Sequence, residues 1–533
     1  MVQLDYLRQL LAESTVKVGS TVPPSRKQVL SALMSASDTM PLTRGAVPSV
    51  RPGWKLALRL VLERHDKDVD PPADGPVPAA WVERYLHECD QLALASVALE
   101  RCQSGVLQLQ QRAPDTFVAW RKSRHLSTEE RESLDFDWWT EHLAREVAPR
   151  LAALIAGRPR MPPEPGQRGT ADSEVERYYH ELGKAHVTRL ACQHSYPAEA
   201  ALGGMTFSQY TDVLALLIGW LYRERDLSVP IGHSMPWDER DLAAALAEVL
   251  DADPAVMGRA LQPFILDRDN AAYHSALQGR AAPPLIRLDE RRVVLSPLGL
   301  LSEPLVFLTR ELRRRHPEQY HNSARLREGV FRRDLYRLFS DARFALSSGR
   351  VELKRTGDVR TDLDALIFDR KTGTLGIFEL KAQDPFVRSV EERRRQRDNF
   401  YHANRQVSAT LEWVQCHGAD DLLARFDERT AKRFRVQKVY VFVLGRYLAE
   451  FAGGPEPDRR AAWGSWPEVL RAFTDGAFGT DSRNPLGKLF SSLRNAAPPS
   501  APVSVDSQVI EVADFRLRIF PSFADVRKEL EGL

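Results

Sequence analysis

Cysteine is scarce in this 533-residue chain, and the four present, Cys89, Cys102, Cys192 and Cys416, lie far apart without a Cys-x-x-Cys pair. Neither a zinc finger nor a dense disulfide framework fits that spacing, so a reducing cytoplasm is the expected location. Long apolar runs are missing too. The longest, Val213 to Tyr222, is bounded by Asp212 and Arg223 and falls short of the roughly twenty residues that cross a bilayer. The opening Met-Val-Gln-Leu-Asp-Tyr lacks the basic-then-apolar pattern of a signal peptide, and no membrane association is expected. Nor is there a large charge excess. With 74 basic and 72 acidic residues the formal net charge is +2, which argues against a protein that coats nucleic acid with its whole surface. Common catalytic signatures also fail. His180-Glu181 is followed by Lys184 where a zinc protease needs its second histidine, and the Gly-Lys pairs at 183–184 and 487–488 are followed by Ala185 and Leu489 rather than Ser or Thr. No Gly-x-Ser-x-Gly elbow and no repeat of fixed period is visible. An ATP-driven motor, if the system needs one, is expected on a separate NTPase or sensor protein.

What is present reads as a multidomain globular protein, with 43% hydrophobic and 27% charged residues in a chain longer than one core can serve. Residues 1–157 are expected to form a helical domain, since Phe136, Trp139, Leu143, Val147, Leu151 and Leu154 recur at three- and four-residue spacing. Two proline-rich breaks, Asp70–Pro78 and Gly157–Gly169, cannot continue a helix. The second puts a linker at about 158–172. A second helical domain is expected over 173–321, opened by Ser173 and Glu176 at capping-box spacing. It contains a short hairpin in which Leu285–Leu288 and Arg292–Ser296 flank Asp289-Glu290. From 322 to 450 the order becomes a helix at 324–338, strands, a long charged helix at 390–416 and a continuous apolar strand at 436–444. Residues 451–533 form an extension whose role is unreadable, apart from a strand expected over 514–520.

The most informative stretch runs from Thr361 to Lys381 and reads as two strands joined by a glycine turn. Strand side chains alternate, so Asp362 and Asp364 would share one face of the first strand, and Glu379 and Lys381 one face of the second. Acidic groups and a lysine then converge at one end, which is how a metal site is built. Lysine makes up only thirteen of the 74 basic residues, so a lysine here is less a matter of composition than an arginine would be. The competing reading is a surface hairpin with cross-strand ion pairs. The apolar neighbours Ala365–Phe368 and Leu375–Phe378 fit that poorly. Immediately upstream, Arg310 to Arg360 holds fourteen basic and seven acidic residues, a flank suited to a phosphate-rich substrate.

Asp364 followed by Glu379-Leu-Lys381 resembles the signature of the PD-(D/E)XK nuclease superfamily, over about residues 323–446, with Leu363 where the proline of the name would stand. The resemblance implies a restriction-endonuclease-like α/β core, a central mixed sheet flanked by helices, attached to a large mainly α-helical N-terminal region. It implies Asp364, Glu379 and Lys381 as catalytic residues and Mg²⁺ as cofactor, with Mn²⁺ able to substitute. Asp364, Glu379 and the Leu380 carbonyl are the expected ligands, because magnesium takes oxygen donors and keeps several waters. Glu328, early on the preceding helix, is a candidate further ligand. Asp362 reads as a strand-entry residue rather than a ligand. Lys381 would hold the attacking water and stabilise developing negative charge. Gln406 and Arg405 on the following helix, with Lys354 and Arg360, are candidate substrate contacts. The implied function is a DNA endonuclease serving a prokaryotic anti-phage defence or restriction system, as a homodimer or larger complex. The rivals are a noncatalytic nucleic-acid-binding or scaffold protein on the same fold, and a nuclease acting on RNA.

Overall fold

In a computed structural model of the chain, residues 2–23, 25–38, 50–64, 77–121, 126, 128–159, 173–226, 236–276, 281–355, 358–386, 390–449, 456–476, 478–479, 482–495, 507–522 and 525–527 are described. The proline-rich segments expected as linkers lie mostly outside these residues. The architecture is mixed α/β, with helices outnumbering strands in length and several small sheets. Among the described residues no helix is long and apolar enough to cross a membrane. The apolar run at 213–222 sits in the Phe207–Asp226 helix, half of whose residues are buried.

The N-terminal region is not purely helical, because β1 (Leu107–Ala113) and β2 (Thr116–Arg121) form a hairpin. Two very short strands, β3 (Ala201–Leu202) and β4 (Met205–Thr206), pair next. In the second helical region β5 (Trp237–Asp238), β6 (Ile265–Leu266), β7 (Leu285–Arg287) and β8 (Arg292–Leu295) make a sheet of order β5-β8-β7-β6, so the expected hairpin is there as β7–β8.

The sheet that carries the informative motif is built from β9 (Phe344–Leu346), β12 (Ala365–Asp369), β13 (Thr374–Lys381), β14 (Lys438–Gly445) and β15 (Ala462–Ser465), in the order β15-β14-β13-β12-β9. β9, β12 and β13 run antiparallel to one another in turn, while β14 and β15 add in parallel. Every residue of β12, and all of β13 up to Leu380, is buried, as continuous apolar runs demand of strands covered on both faces. Alternation sorts the two faces. Ile367, Phe378, Leu380, Phe442 and Leu444 pack with Phe331 and Leu335 of the Ala324–Arg337 helix, whereas Leu366, Phe368, Ile377, Val441 and Val443 pack with Ala403, Val407 and Trp413 of the Val390–His417 helix. Between β9 and β12 the chain leaves the sheet as β10 (Val351–Arg355) and β11 (Asp358–Leu363), a separate two-stranded ribbon. The first motif strand is therefore two strands broken at Asp364 rather than one.

Sequence distance does not follow packing distance. β16 (Gln508–Val512) and β17 (Phe515–Phe520) complete a sheet of order β1-β2-β17-β16, so the C-terminal stretch closes on the N-terminal hairpin. One apolar cluster runs from Leu7 and Leu58 through Phe117, Phe515 and Leu517 to Ile367 and Phe378 of the central sheet.

Where β12 ends and the chain turns toward β13, the sheet is locked by a buried ion pair. Asp369, fully buried, accepts from Arg343 Nε at 2.7 Å and Nη2 at 2.6 Å, and from Thr372 Oγ1 at 2.7 Å. Arg343 also donates to the carbonyls of Ser482 and Arg483. Replacing Asp369 with alanine strips that guanidinium of its carboxylate, and should cost about 3–5 kcal/mol. Chemical denaturation of Asp369→Ala checks this, and a loss below about 1 kcal/mol would contradict the assignment.

Candidate active site

The site forms where β12 stops pairing. Extending the β12–β13 register one step beyond Ala365↔Phe378 sets Asp364 opposite Glu379, and alternation puts both, with Lys381, on the face covered by the Val390–His417 helix. Because β11 has turned away to β10, the β12 backbone no longer reaches Leu380. The Asp364 carboxylate fills the gap, Oδ2 accepting from the Leu380 N–H at 2.7 Å. On the other edge the Lys381 carbonyl accepts from the Arg446 N–H at 2.9 Å. Successive residues of a strand direct their N–H and C=O to opposite sides, so the Leu380 carbonyl turns toward Asp364, the direction expected of a ligand. Lys381 Nζ donates to Glu379 Oε1 at 2.6 Å and to Gln406 Oε1 at 3.0 Å.

These are charges held away from water. Asp364 is 5% and Glu379 7% exposed. Burial pushes the Asp364 carboxyl above its ordinary range, with the Leu380 N–H and the Lys381 charge opposing. Burial, then the charge of Asp364, pushes Glu379 up to about 7, against the attraction of Lys381. Glu328 is raised by burial first and by Asp364 second, which places a third carboxyl within electrostatic reach of the pair. Arg332 and Arg350 also act on Asp364. Hard oxygen donors around a buried, like-charged pair suit a divalent cation. Among the described residues, however, no three His, Cys, Asp or Glu side chains form a ready-made metal cluster. A cation here would draw on Asp364, Glu379, the Leu380 carbonyl and water, with Glu328 the further carboxyl that acts on the pair.

The other candidates divide. Gln406, 8% exposed, reaches the site directly. Arg405 lines an open groove of about 1160 Å³ beside it, together with Asp362, Tyr401, His402 and Gln406. Asp362, read from the sequence as a strand-entry residue, is the fifth residue of β11 and is ion-paired with Arg350. Lys354 is not brought into the site: its ammonium pairs with Glu352 at 3.6 Å, both side chains 58% exposed. Arg360 lies in β11, but its side chain is outside the described residues. The sequence reading missed Arg350, Arg332 and His402. His402 is lowered by burial, Lys381 and Arg405, and its place one turn before Gln406 is the signal that could have found it.

Neither family models, curated proteins nor solved structures match this chain.

Because the folded Glu379 value lies above the ordinary 4.5, the native state keeps a proton that the unfolded chain releases. Stability should therefore fall as pH rises from about 4.5 to about 7. Glu379→Gln removes that penalty. Thermal melts at about pH 5 and about pH 8 should show wild type losing more melting temperature than the variant over this interval. Equal losses would show that the pair is not crowded.

Proposed function

We propose that this chain is a metal-dependent phosphodiester hydrolase of the PD-(D/E)XK type, cutting DNA. The observation that carries the reading is the Lys381 ammonium bridging Glu379 and Gln406 beside Asp364. A surface hairpin with incidental ion pairs would leave its carboxylates exposed, whereas both are buried here. Further support comes from the chain order around the site, a helix, an antiparallel meander, a second helix and a parallel strand, which is the order expected of the nuclease core.

Phosphodiesters resist attack because the anion repels hydroxide and the alkoxide leaves poorly, and a bound divalent ion offsets both charges. Asp364, Glu379 and the Leu380 carbonyl would hold that ion. Lys381 supplies a donor to the attacking water and to the charge that develops as the bond breaks. Gln406 fixes the lysine by occupying one of its three N–H donors. His402 and Arg405, on the same helix, border the route by which a phosphate would approach. On this reading the helical regions select substrate or restrain cutting, and service as an anti-phage or restriction effector in the cytoplasm rests on analogy alone. Double-strand cutting would call for two such sites, hence a homodimer or larger complex, with a separate NTPase or sensor protein as a further partner.

One observation favours a second reading, a noncatalytic nucleic-acid-binding protein. Glu379 is engaged by Lys381, and no cluster of three ligands is preformed among the described residues. A metal series over plasmid, linear and single-stranded DNA and RNA separates the two, and the RNA arm tests the sugar. Alanine at Asp364, Glu379 or Lys381 should lower magnesium-dependent cutting at least about 100-fold while the fold, read by circular dichroism, is retained. Undiminished cutting by all three variants would reject the reading. Binding without cutting, under every metal, would favour the second.

A further inference from the structure

Lysine is rare in this chain, thirteen residues in 533, yet two of them line one groove away from the candidate active site and a third lies over a ring that lines it. Lys371, in the turn between β12 and β13, and Lys488, on the Pro485–Asn495 helix, line an open groove of about 990 Å³ together with Arg483. The ammonium of Lys438, the first residue of β14, lies 4.9 Å from the ring centroid of Tyr440, which lines the same groove. Tyr440 and Gly487 bring sheet and helix together, since a Cβ at Gly487 would stand 2.9 Å from the Tyr440 hydroxyl.

Three features characterise this groove. Some exposed cations of this protein are paired, Lys432 with Glu428, Arg370 with Asp427, Arg460 with Asp458. Among the described residues the heads of Lys371, Lys438, Arg483 and Lys488 have no carboxylate partner. The remaining lining is neutral and hydrogen-bonding, with Thr372, Ser491, Ser492 and Asn495, and among the described residues it contains no carboxylate. All four cationic residues are exposed, so the groove is open rather than an enclosed pocket. Unpaired cations repel one another and gain only when an anion joins them.

We propose that this groove is a second nucleic-acid contact, holding the phosphodiester backbone at a distance from the bond that is cut. Its size and openness suit a chain of phosphates rather than one small ion, and its lining, among the described residues, holds no carboxylate to repel that chain. Such contacts fix register without reading sequence. β13 joins the two places: Thr374 begins beside the groove and Lys381 ends at the candidate active site, seven steps of about 3.3 Å, or roughly 23 Å. Tyr440 and Lys438 lie on the sheet face opposite that of Glu379 and Lys381, by alternation along β13 and its paired strand β14. The groove therefore holds a stretch of polyanion other than the one being hydrolysed.

The proposal rests on the nuclease reading for its choice of nucleic acid, and binding measured without magnesium keeps the two separable. Fluorescence anisotropy of a labelled DNA duplex in EDTA, over a salt series, compares wild type with the combined Lys371→Ala, Lys438→Ala, Lys488→Ala variant. Loss of three phosphate contacts should reduce the slope of log K against log salt by about 3 and weaken binding at least about 10-fold at low salt. Lys432→Ala, a lysine already paired with Glu428, should change neither. If the combined variant does not fold, the single Lys488→Glu change on the exposed helix face carries the same test with a slope change of about 1 or more. Unchanged affinity and slope overturn the groove, as does a wild type that binds no duplex. Cutting by wild type with a groove variant that binds normally would discard the groove and keep the nuclease. Groove-dependent binding with no cutting under any metal would do the reverse.

Discussion

Everything at the candidate site follows from one departure of the chain from its sheet. At Asp364 the polypeptide stops pairing with β13, because β11 has joined β10 instead, and Leu380 is left with an N–H that a buried strand cannot leave unsatisfied. The carboxylate one residue before β12 stands in register to accept it. The same bond fixes Asp364 against the sheet and brings it opposite Glu379, so two acids share a volume with little water. Such a pair is unfavourable by itself. The lysine two residues on, held by Gln406, offsets part of that repulsion, and a divalent cation would offset more. The carboxylate that completes one strand end is also the one that crowds Glu379.

The helical regions reach this point through the turn that follows Lys381. The Phe386 N–H donates to Glu132 at 2.7 Å, and its carbonyl accepts from Arg310 at 3.0 Å. Phe386 takes a left-handed φ of 55°, and its ring centroid lies 4.7 Å from that of Phe136. Arg327 donates to Asp384 at 3.1 Å, and Arg313 bonds Glu392 at 2.7 Å near the start of the helix that carries Gln406. Residues from three upstream helices thus grip the segment between Lys381 and Gln406. A rearrangement of the N-terminal half would move the lysine and the glutamine together, because interiors packed this closely transmit strain.

The legible part of the fold was the part with strong local pattern. The continuous apolar runs of β12, β13 and β14, the amphipathic helices at 324–337 and 390–417, and the hairpin at 285–295 all carry their period in the sequence. Asp364, Glu379 and Lys381 were legible for the same reason, since alternation sets their faces, whereas Gln406 was named only from the family resemblance. What escaped was set by long-range pairing. The β1–β2 hairpin, Leu-Gln-Leu-Gln-Gln-Arg-Ala and Thr-Phe-Val-Ala-Trp-Arg, is half polar, and it becomes a sheet by accepting β17 from the other end of the chain. The break at Asp364 escaped too: nothing in Arg-Thr-Asp-Leu-Asp-Ala-Leu marks where one pairing partner gives way to another. Arg350 and Arg332 came to the site from loop and helix positions that no spacing rule connects to it.

Arginine and lysine divide the electrostatic work along this difference. Arginine, whose planar fork can satisfy several acceptors at once, sits at the buried junctions: Arg343 on Asp369, Arg446 on Asp334 beneath Trp139, Arg327 on Asp384. Each joins segments distant in sequence and is consumed by the fold. Lysine, a hydrated point charge on a flexible stem, joins near neighbours or stays at the surface: Lys381 bonds Glu379 and Gln406, Lys354 and Lys432 pair with glutamates close in sequence, and Lys371, Lys438 and Lys488 stand exposed.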